Sequence, residues 1–465
     1  MDDYDDIIIG SGQAGPALAV ALAGRGRRVA VIEGGRLGGT CVNTGCTPTK
    51  TLRKSARVAH LVRRAAEFGV ETGPVRVDFE AAVKRMHARV TASRDGLTAW
   101  LSDTDGVELV RGWGAFDGRD GDGFVVVAGQ ARMRAERVFL NTGTRPSLPP
   151  VDGIGRVPHL DNESLLELRQ CPQHLLIVGG SYIGLEMGQI FRRLGARVTI
   201  VHRENRLAER EDEDVSQAIA EFMREEGIEL LLGAELAQVS QTEAGLSVLT
   251  DDGRTVEASH LLFATGRSPN TERLNLDSVG IETDDRGFIR TDEHLSTTVP
   301  GVWALGDVNR RGAFTHTSYH DHEIVLAAIE GRNQHYQWRD AEQRPTTYAM
   351  FTDPPLGRVG ITLAQAGELA RKGRRIATAS MPMADVSRAK EEGETSGLMR
   401  LIVDTDAKVI LGATILGFGG DEVVAVLSNF MASGASVEAM QAALPIHPTV
   451  AELLPSLLGS LKPLD

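Results

Sequence analysis

Residues 5–35 read DDIIIGSGQAGPALAVALAGRGRRVAVIEGG. A short strand-like run, Asp6 to Ile9, meets Gly10-x-Gly12-x-x-Gly15; a small-residue stretch follows from Pro16 to Ala23, and a second run, Val29 to Ile32, stops at Glu33. The pattern predicts strand, tight turn, helix and strand, the unit that binds a dinucleotide. Gly10 permits the turn, Gly12 lets the backbone approach a pyrophosphate, and Gly15 lets the helix pack on the strand with its amides aimed at the phosphates. Glu33 stands where a carboxylate accepts hydrogen bonds from ribose hydroxyls.

The unit recurs at residues 175–206, LLIVGGSYIGLEMGQIFRRLGARVTIVHRENR. Gly179 and Gly184 take the first and third glycine places, and Ser181 replaces the second, crowding the pyrophosphate side slightly. Gly10 to Glu33 and Gly179 to His202 are both 23 positions, so the copies superpose without a gap and His202 falls at the ribose position. A carboxylate there favours a free 2′-hydroxyl; its absence, with Arg203 and Arg206 following, predicts a site for NADPH. The bland alternative is that both arginines are solvated surface charge.

The whole chain narrows the partners. Its 465 residues, 42% hydrophobic and 24% charged, suffice for two to four domains. A formal net charge of -13 argues against nucleic acid and anionic membrane. The opening MDDYDDIIIG is acidic where a secretory signal is basic, and no run of about 18 apolar residues is present. Three cysteines are too few for a secreted disulfide framework. The expectation is a cytoplasmic protein in which a close cysteine pair signals redox work or metal binding.

That pair lies in GGTCVNTGCTPTK, residues 38–50, with Cys41 and Cys46 five positions apart. In an ideal helix such residues are about 7.5 Å apart along the axis, and a disulfide needs Cα atoms within about 7 Å. Pairing therefore requires a distorted helix, which Gly45 and Pro48 permit. Zinc would want four ligands, and the chain has no second cysteine pair. An inert buried pair stays open. Cys171, without a cysteine neighbour, reads as structural.

GGTCVNTGCTPTK resembles the redox motif of the class I pyridine nucleotide-disulfide oxidoreductases, which include glutathione reductase, dihydrolipoamide dehydrogenase and mercuric reductase. NTGTRP (141–146) and ATGRSPN (264–270) resemble the family's short motifs that close the FAD site. GVWALGDV (301–308) resembles its second flavin signature. YAMFTDPPLGRVGIT (348–362) resembles the start of its dimerisation domain, and IHPTVAELLP (446–455) its catalytic-base segment.

The resemblance implies an α/β fold with two Rossmann-like nucleotide-binding domains and a C-terminal α+β dimerisation domain. FAD is expected on 1–150, interrupted by a helical excursion over 51–100, and NADPH on 151–268. A central segment, 269–340, rejoins the FAD part, and 341–465 forms the interface. Cofactor contacts are implied at Gly39, Thr40, Thr142, Gly143, Gly266, Arg267, Gly306 and Asp307, the last on the ribityl chain. Electrons are expected to pass from NADPH through FAD to a Cys41–Cys46 disulfide, with Cys46 against the flavin and Cys41 attacking the substrate. Lys50, paired with Glu186, is implied near the flavin, and Tyr182 over the nicotinamide pocket. His447, oriented by Glu452, is the implied acid-base group, working on the other subunit of a homodimer.

Departures from the family pattern narrow the oxidant. Val20 occupies the position of the glutathione-anchoring arginine, which argues against glutathione, and His202 argues against the NAD-using dihydrolipoamide dehydrogenases. Mercuric reductases carry a C-terminal cysteine pair that the tail PSLLGSLKPLD lacks, and often an N-terminal metal-binding module, whereas this chain opens on its FAD strand. The expected substrate is a small disulfide, a reactive sulfur or halogen oxidant, or a metal ion. Mercury(II) reduction and a redox-sensing flavoprotein with little turnover are the alternatives. A metal site at His316, His320 and His322 would want a carboxylate or thiolate with them; the resemblance instead makes their segment a helix whose start faces the flavin, and that reading is favoured over metal binding. No resident metal is expected.

Overall fold

The computed structural model describes residues 1–243, 245–332 and 340–464. β1 (Asp2–Ile9), α1 (Ala14–Ala23) and β2 (Val29–Glu33) build the first predicted unit, with β1 extended back to Asp2 and α1 begun at Ala14. Ile7 and Ile9 point into one core, and Ile8, Val29 and Val31 into another. The strands are apolar on successive residues because both sheet faces are covered. α2 (Gly39–Asn43), α3 (Cys46–Arg63) and α4 (Phe79–Ser102) form the helical excursion, and Asp78 caps α4 by accepting from the Ala81 amide. β3 (Val107–Arg111), β4 (Gly114–Asp120), β5 (Gly123–Ala128) and β6 (Ala131–Leu140) complete a sheet ordered β3-β2-β1-β6-β5-β4. It is parallel from β3 to β6 and antiparallel beyond.

β7 (Thr144–Pro146) leads to the second unit: β8 (His174–Val178), α5 (Tyr182–Leu194), β9 (Arg197–His202), α6 (Glu213–Glu225) and β10 (Glu229–Leu232). A meander follows through β11 (Leu236–Thr242), β12 (Gly245–Thr250) and β13 (Thr255–Ala258). β14 (His260–Phe263) then joins a parallel sheet ordered β10-β9-β8-β14. Leu175 and Ile177 enter one core and Leu176 and Val178 the other, repeating the two-sided burial of β1. β15 (Arg267–Pro269) pairs antiparallel with β7, which zips the two short glycine motifs together.

β16 (Val302–Ala304) returns to the first sheet beside β6, and α7 (Thr315–Ile329) packs on α1. The end of the expected segment 269–340 includes 333–339, outside the described residues. The chain closes with β17 (Thr347–Met350), β18 (Leu356–Gly360), α8 (Leu363–Arg371), β19 (Ile376–Pro382), α9 (Ser387–Glu391), β20 (Leu398–Asp404), β21 (Val409–Leu416), α10 (Gly420–Ala432), α11 (Val437–Gln441), α12 (Leu454–Leu458) and β22 (Lys462–Pro463). Its strands form one antiparallel sheet with its own core around Met383, Met399, Leu401 and Ile415. Among the described residues no helix is long and apolar enough to cross a membrane.

Candidate active site

The helix carrying the cysteines is broken between them. α2 ends at Asn43, Gly45 adopts φ −129° and ψ −113°, and α3 starts at Cys46. A Cβ on Gly45 would lie 2.9 Å from the Thr40 carbonyl oxygen, so glycine is what lets the chain turn there. Pro48 sits in the first turn of α3, where its missing N–H costs nothing. Both thiols are free, so the structure shows the reduced pair rather than the disulfide. They hydrogen-bond each other, and Cys46 Sγ lies 3.0 Å from Thr315 Oγ1, at the start of α7.

The two thiols are pushed apart in acidity. The hydrogen bond from Cys41 lowers Cys46 to about 6 against the opposition of burial, with help from the Thr315 hydroxyl and the Lys50 charge. Its place at the N-terminus of an 18-residue helix acts in the same direction. Cys41 moves up, because its proton is held by Cys46 and the site is buried. Cys46 is therefore the thiolate and Cys41 the thiol. One turn along α3, Lys50 Nζ donates to Glu186 Oε2 at 2.8 Å and lies 4.4 Å from the centroid of the Phe351 ring, while the Phe351 amide donates to Glu186 Oε1 at 2.8 Å.

The thiol segment is pinned to the first glycine turn. The Gly38 amide donates to Ser11 Oγ at 3.1 Å, Ser11 Oγ donates to Glu33 Oε2 at 2.6 Å, and a Cβ on Gly39 would meet Gly12 Cα at 3.0 Å. Glu33 Oε2 also accepts the Ser11 amide at 3.0 Å. In the second copy His202 Nδ1 accepts the Gly180 amide at 3.2 Å, one residue after the first glycine in both units. The side chain closing each second strand thus grips the same point of its turn. Ser181 sits at φ −106° and ψ −170°, extended backbone that any residue adopts, so serine is accommodated there without backbone strain.

The first cradle fits FAD. Thr142 Oγ1 is buried without a hydrogen-bond partner, and a Cβ on Gly143 would stand in open space, leaving a polar atom and a clear backbone at the closing motif. Gly266 is equally open. Arg267 donates to Thr144 Oγ1 and to Thr144 O, both at 2.7 Å, and its Nη2 stands 3.5 Å from Thr40 Oγ1. Thr144 Oγ1 donates in turn to Asp307 Oδ2 at 3.1 Å. Burial pushes the Asp307 carboxyl up, a state that a hydroxyl-bearing ligand would relieve. Gly306 at φ +74° turns the chain into Asp307, and its amide donates to buried Asp321 at 2.7 Å.

The second cradle also fits a nucleotide. A Cβ on Gly184 would lie 1.9 Å from the Gly179 oxygen, so helix and turn touch backbone to backbone. His202 Nε2 is buried without a hydrogen bond, 3.4 Å from Glu209 Oε2. Arg203 is exposed beside Glu204 at 3.3 Å, and Arg206 donates to the Glu209 carbonyl at 2.9 Å. Tyr182 begins α5, its ring against Tyr348 and Phe314.

His447 is not gathered with these groups. Its Nδ1 lies 2.9 Å from Glu452 Oε2, while its side chain is 76% exposed and flanked by Ile446 and Leu444, themselves 78% and 97% exposed.

Residues 4–321 match the pyridine nucleotide-disulphide oxidoreductase family, and residues 346–457 match its dimerisation domain. The chain belongs to the class I pyridine nucleotide-disulfide oxidoreductases. Its relatives include the probable pyridine nucleotide-disulfide oxidoreductase RclA of Escherichia coli, 33% identical over 99% of this chain and 100% of that one. A mercuric reductase of Streptomyces lividans is 36% identical over 97% and 94%, and a dihydrolipoyl dehydrogenase of Cupriavidus necator is 31% identical over 97% and 96%. Among solved structures, the HOCl-induced flavoprotein disulfide reductase RclA superposes with a TM-score of 0.87 at 32% identity, covering 99% of this chain and 100% of that one. Its Cu(II) complex gives 0.88 over 99% of each. FAD and a pyridine nucleotide are the cofactors of this oxidoreductase family.

Several residues at the site escape a reading of the oxidoreductase's sequence alone. Thr315 lies 269 positions from Cys46, and no local pattern marks its hydroxyl among the neighbouring histidines. Those histidines diverge: His316 Nε2 reaches Thr347 O at 2.6 Å, His322 Nδ1 reaches Tyr319 O, and His320 faces Arg344 and Glu323. Among the described residues no group of three or more His, Cys, Asp or Glu side chains is placed to hold a metal ion. Asn141 opens a quoted motif, yet its role shows only in the fold: it accepts the Gly15 amide at 3.0 Å and donates to Leu305 O at 2.8 Å, tying the first turn to the second flavin signature. Cys171 packs beside the core of the second unit, and burial pushes its thiol up to about 11.

Proposed function

We propose that the protein is an NADPH-dependent flavoprotein disulfide reductase that passes electrons to the Cys41–Cys46 disulfide and on to a small oxidised substrate. The pinning of the thiol segment to the first cradle, Gly38 through Ser11 to Glu33, carries this reading. FAD would be held by the first glycine turn, Glu33, Thr40, Thr142, Arg267 and Asp307, and NADPH by the second turn with Arg203 and Arg206. When bound there, FAD supplies the two-electron relay between a reduced nicotinamide and a disulfide.

The chain's own groups do the rest. The hydrogen bond from Cys41, then Thr315 and Lys50, with the start of α3, hold Cys46 as a thiolate. Cys41, whose thiol is pushed up, needs a base before it can attack, and the exposed His447, oriented by Glu452, has that chemistry on a face left uncovered in the single subunit. In the homodimer implied by the dimerisation domain, His447 would serve the partner's thiols. Cys41 attacks one sulfur of the oxidant, His447 protonates the departing thiolate, and Cys46 then attacks Cys41 to release the second product and restore the disulfide.

A metal ion as acceptor is the second reading. Mercuric reductases among the relatives and the Cu(II) complex of RclA favour it, with Cys41 and Cys46 as soft ligands. The test is a purified sample reduced anaerobically with NADPH, followed by alkylation and mass spectrometry. Cys41 and Cys46 should become alkylated only after NADPH, and a panel of disulfides, hypothiocyanite, Hg(II), Cu(II) and quinones should identify the acceptor. A colourless protein that takes up no flavin, or NADPH that unmasks no thiol, defeats the reading. Thiol unmasking with negligible flux to every acceptor would instead favour a sensor.

A further inference from the structure

We infer that Glu211 is the latch of a Tyr182 gate, and that Tyr348 keeps the latch half-released so that the gate can open. The inference rests on the reading that the second cradle binds NADPH with Tyr182 over its nicotinamide end. Tyr182 has its ring centroid 5.4 Å from that of Tyr348 and 5.8 Å from that of Phe314, the residue before Thr315. Its hydroxyl reaches Glu211 Oε1 at 3.5 Å, the outer limit of a hydrogen bond, and also neighbours the Tyr348 hydroxyl.

The same oxygen, Glu211 Oε1, takes the Tyr348 hydroxyl in a closer bond, and Oε2 takes Arg358 Nη1 at 2.7 Å. Glu211 and Arg358 are 2% and 1% exposed. The carboxylate is therefore satisfied without Tyr182. When Tyr182 turns away, only a long hydrogen bond breaks and no buried charge is left unpaired. Tyr348 and Arg358 both belong to the C-terminal sheet, so the interface part of the chain sets how readily the nucleotide pocket opens. All three act through Tyr182 and are positioning residues.

The arrangement makes an unusual demand. Removing the Tyr348 hydroxyl leaves Tyr182 as the sole phenol for Glu211 Oε1, and opening the gate then strands a buried acceptor. Tyr348→Phe should weaken NADPH binding by about tenfold. The double variant Tyr348→Phe/Tyr182→Phe has no phenol to latch and should return to within about twofold of the Tyr182→Phe single variant. The measurement is the Kd of NADPH and of NADP⁺ by titration calorimetry on the oxidised holoenzyme, with FAD content and melting temperature recorded for each variant. General loosening of the fold would be worsened, not rescued, by the second substitution. An unchanged Kd in Tyr348→Phe, or a double variant as weak as the single one, overturns the latch while leaving the NADPH reading intact. A wild-type holoenzyme that binds no NADPH overturns both.

Discussion

Lys50 Nζ and Glu186 Oε2 meet at 2.8 Å, joining the helix that begins with Cys46 to the helix that follows the second glycine turn. The Glu186 side chain is 9% exposed, and Lys50 covers it. Lys50→Met leaves a buried carboxylate with one amide donor, at a cost of about 1–3 kcal/mol. It also removes a positive charge from beside Cys46. Thermal melting should fall by about 2–4 °C, and NADPH-driven unmasking of thiols should slow by about tenfold or more in rapid-mixing experiments.

Cys46 alkylation reports its acidity directly. The thiolate is the reactive form, so the rate in the reduced protein should rise with pH and level off above a midpoint near 6, set first by the Cys41 hydrogen bond and then by Thr315 and Lys50. Thr315→Val removes a donor to the thiolate and should move that midpoint up by about one pH unit. A midpoint near that of an ordinary thiol in the wild-type protein would contradict the assignment.

His447→Ala should cut steady-state turnover by about 10²- to 10⁴-fold while NADPH still unmasks both thiols. Mixed dimers answer where the base acts. Subunits bearing Cys46→Ser combined with subunits bearing His447→Ala should regain activity if each His447 serves the partner's cysteines, and should stay inactive if it serves its own.

Charge reversal tests the second cradle. Arg203→Glu with Arg206→Glu should raise the KM for NADPH by about tenfold or more and leave that for NADH within about threefold, because a carboxylate repels the 2′-phosphate alone. Equal changes for both nucleotides would assign the two arginines to solvated surface.

Asp353 anchors three parts of the chain. It accepts Arg57 from α3 and Arg193 from α5, with Arg53 at 3.8 Å, and its backbone exchanges hydrogen bonds with Gln189 at 2.7 and 2.8 Å. Asp353→Ala removes one buried carboxylate from Arg57 and Arg193, which keep Glu394 and Glu226 as partners, and should cost about 1–3 kcal/mol, seen as a lower unfolding midpoint in denaturant.

The glycine turns, the equal spacing to Glu33 and His202, and the break at Gly45 were all readable in the chain. Each is a short-range matter: a tight turn, a two-sided strand or a helix interruption depends on residues a few positions apart and on their conformational limits. The pairing of Lys50 with Glu186 came from the family resemblance, since nothing local links positions 136 apart.

Tertiary structure alone decided which groups surround those landmarks. Thr315 reaches Cys46 across 269 positions, and Tyr348 and Arg358 reach Glu211 across 137 and 147. Such contacts depend on how separately folded layers pack, so a lone threonine or arginine carries no local sign of them. The sequence determined the two cradles and the position of the thiols; packing determined which thiol is acidic, because acidity depends on neighbours brought together by the fold.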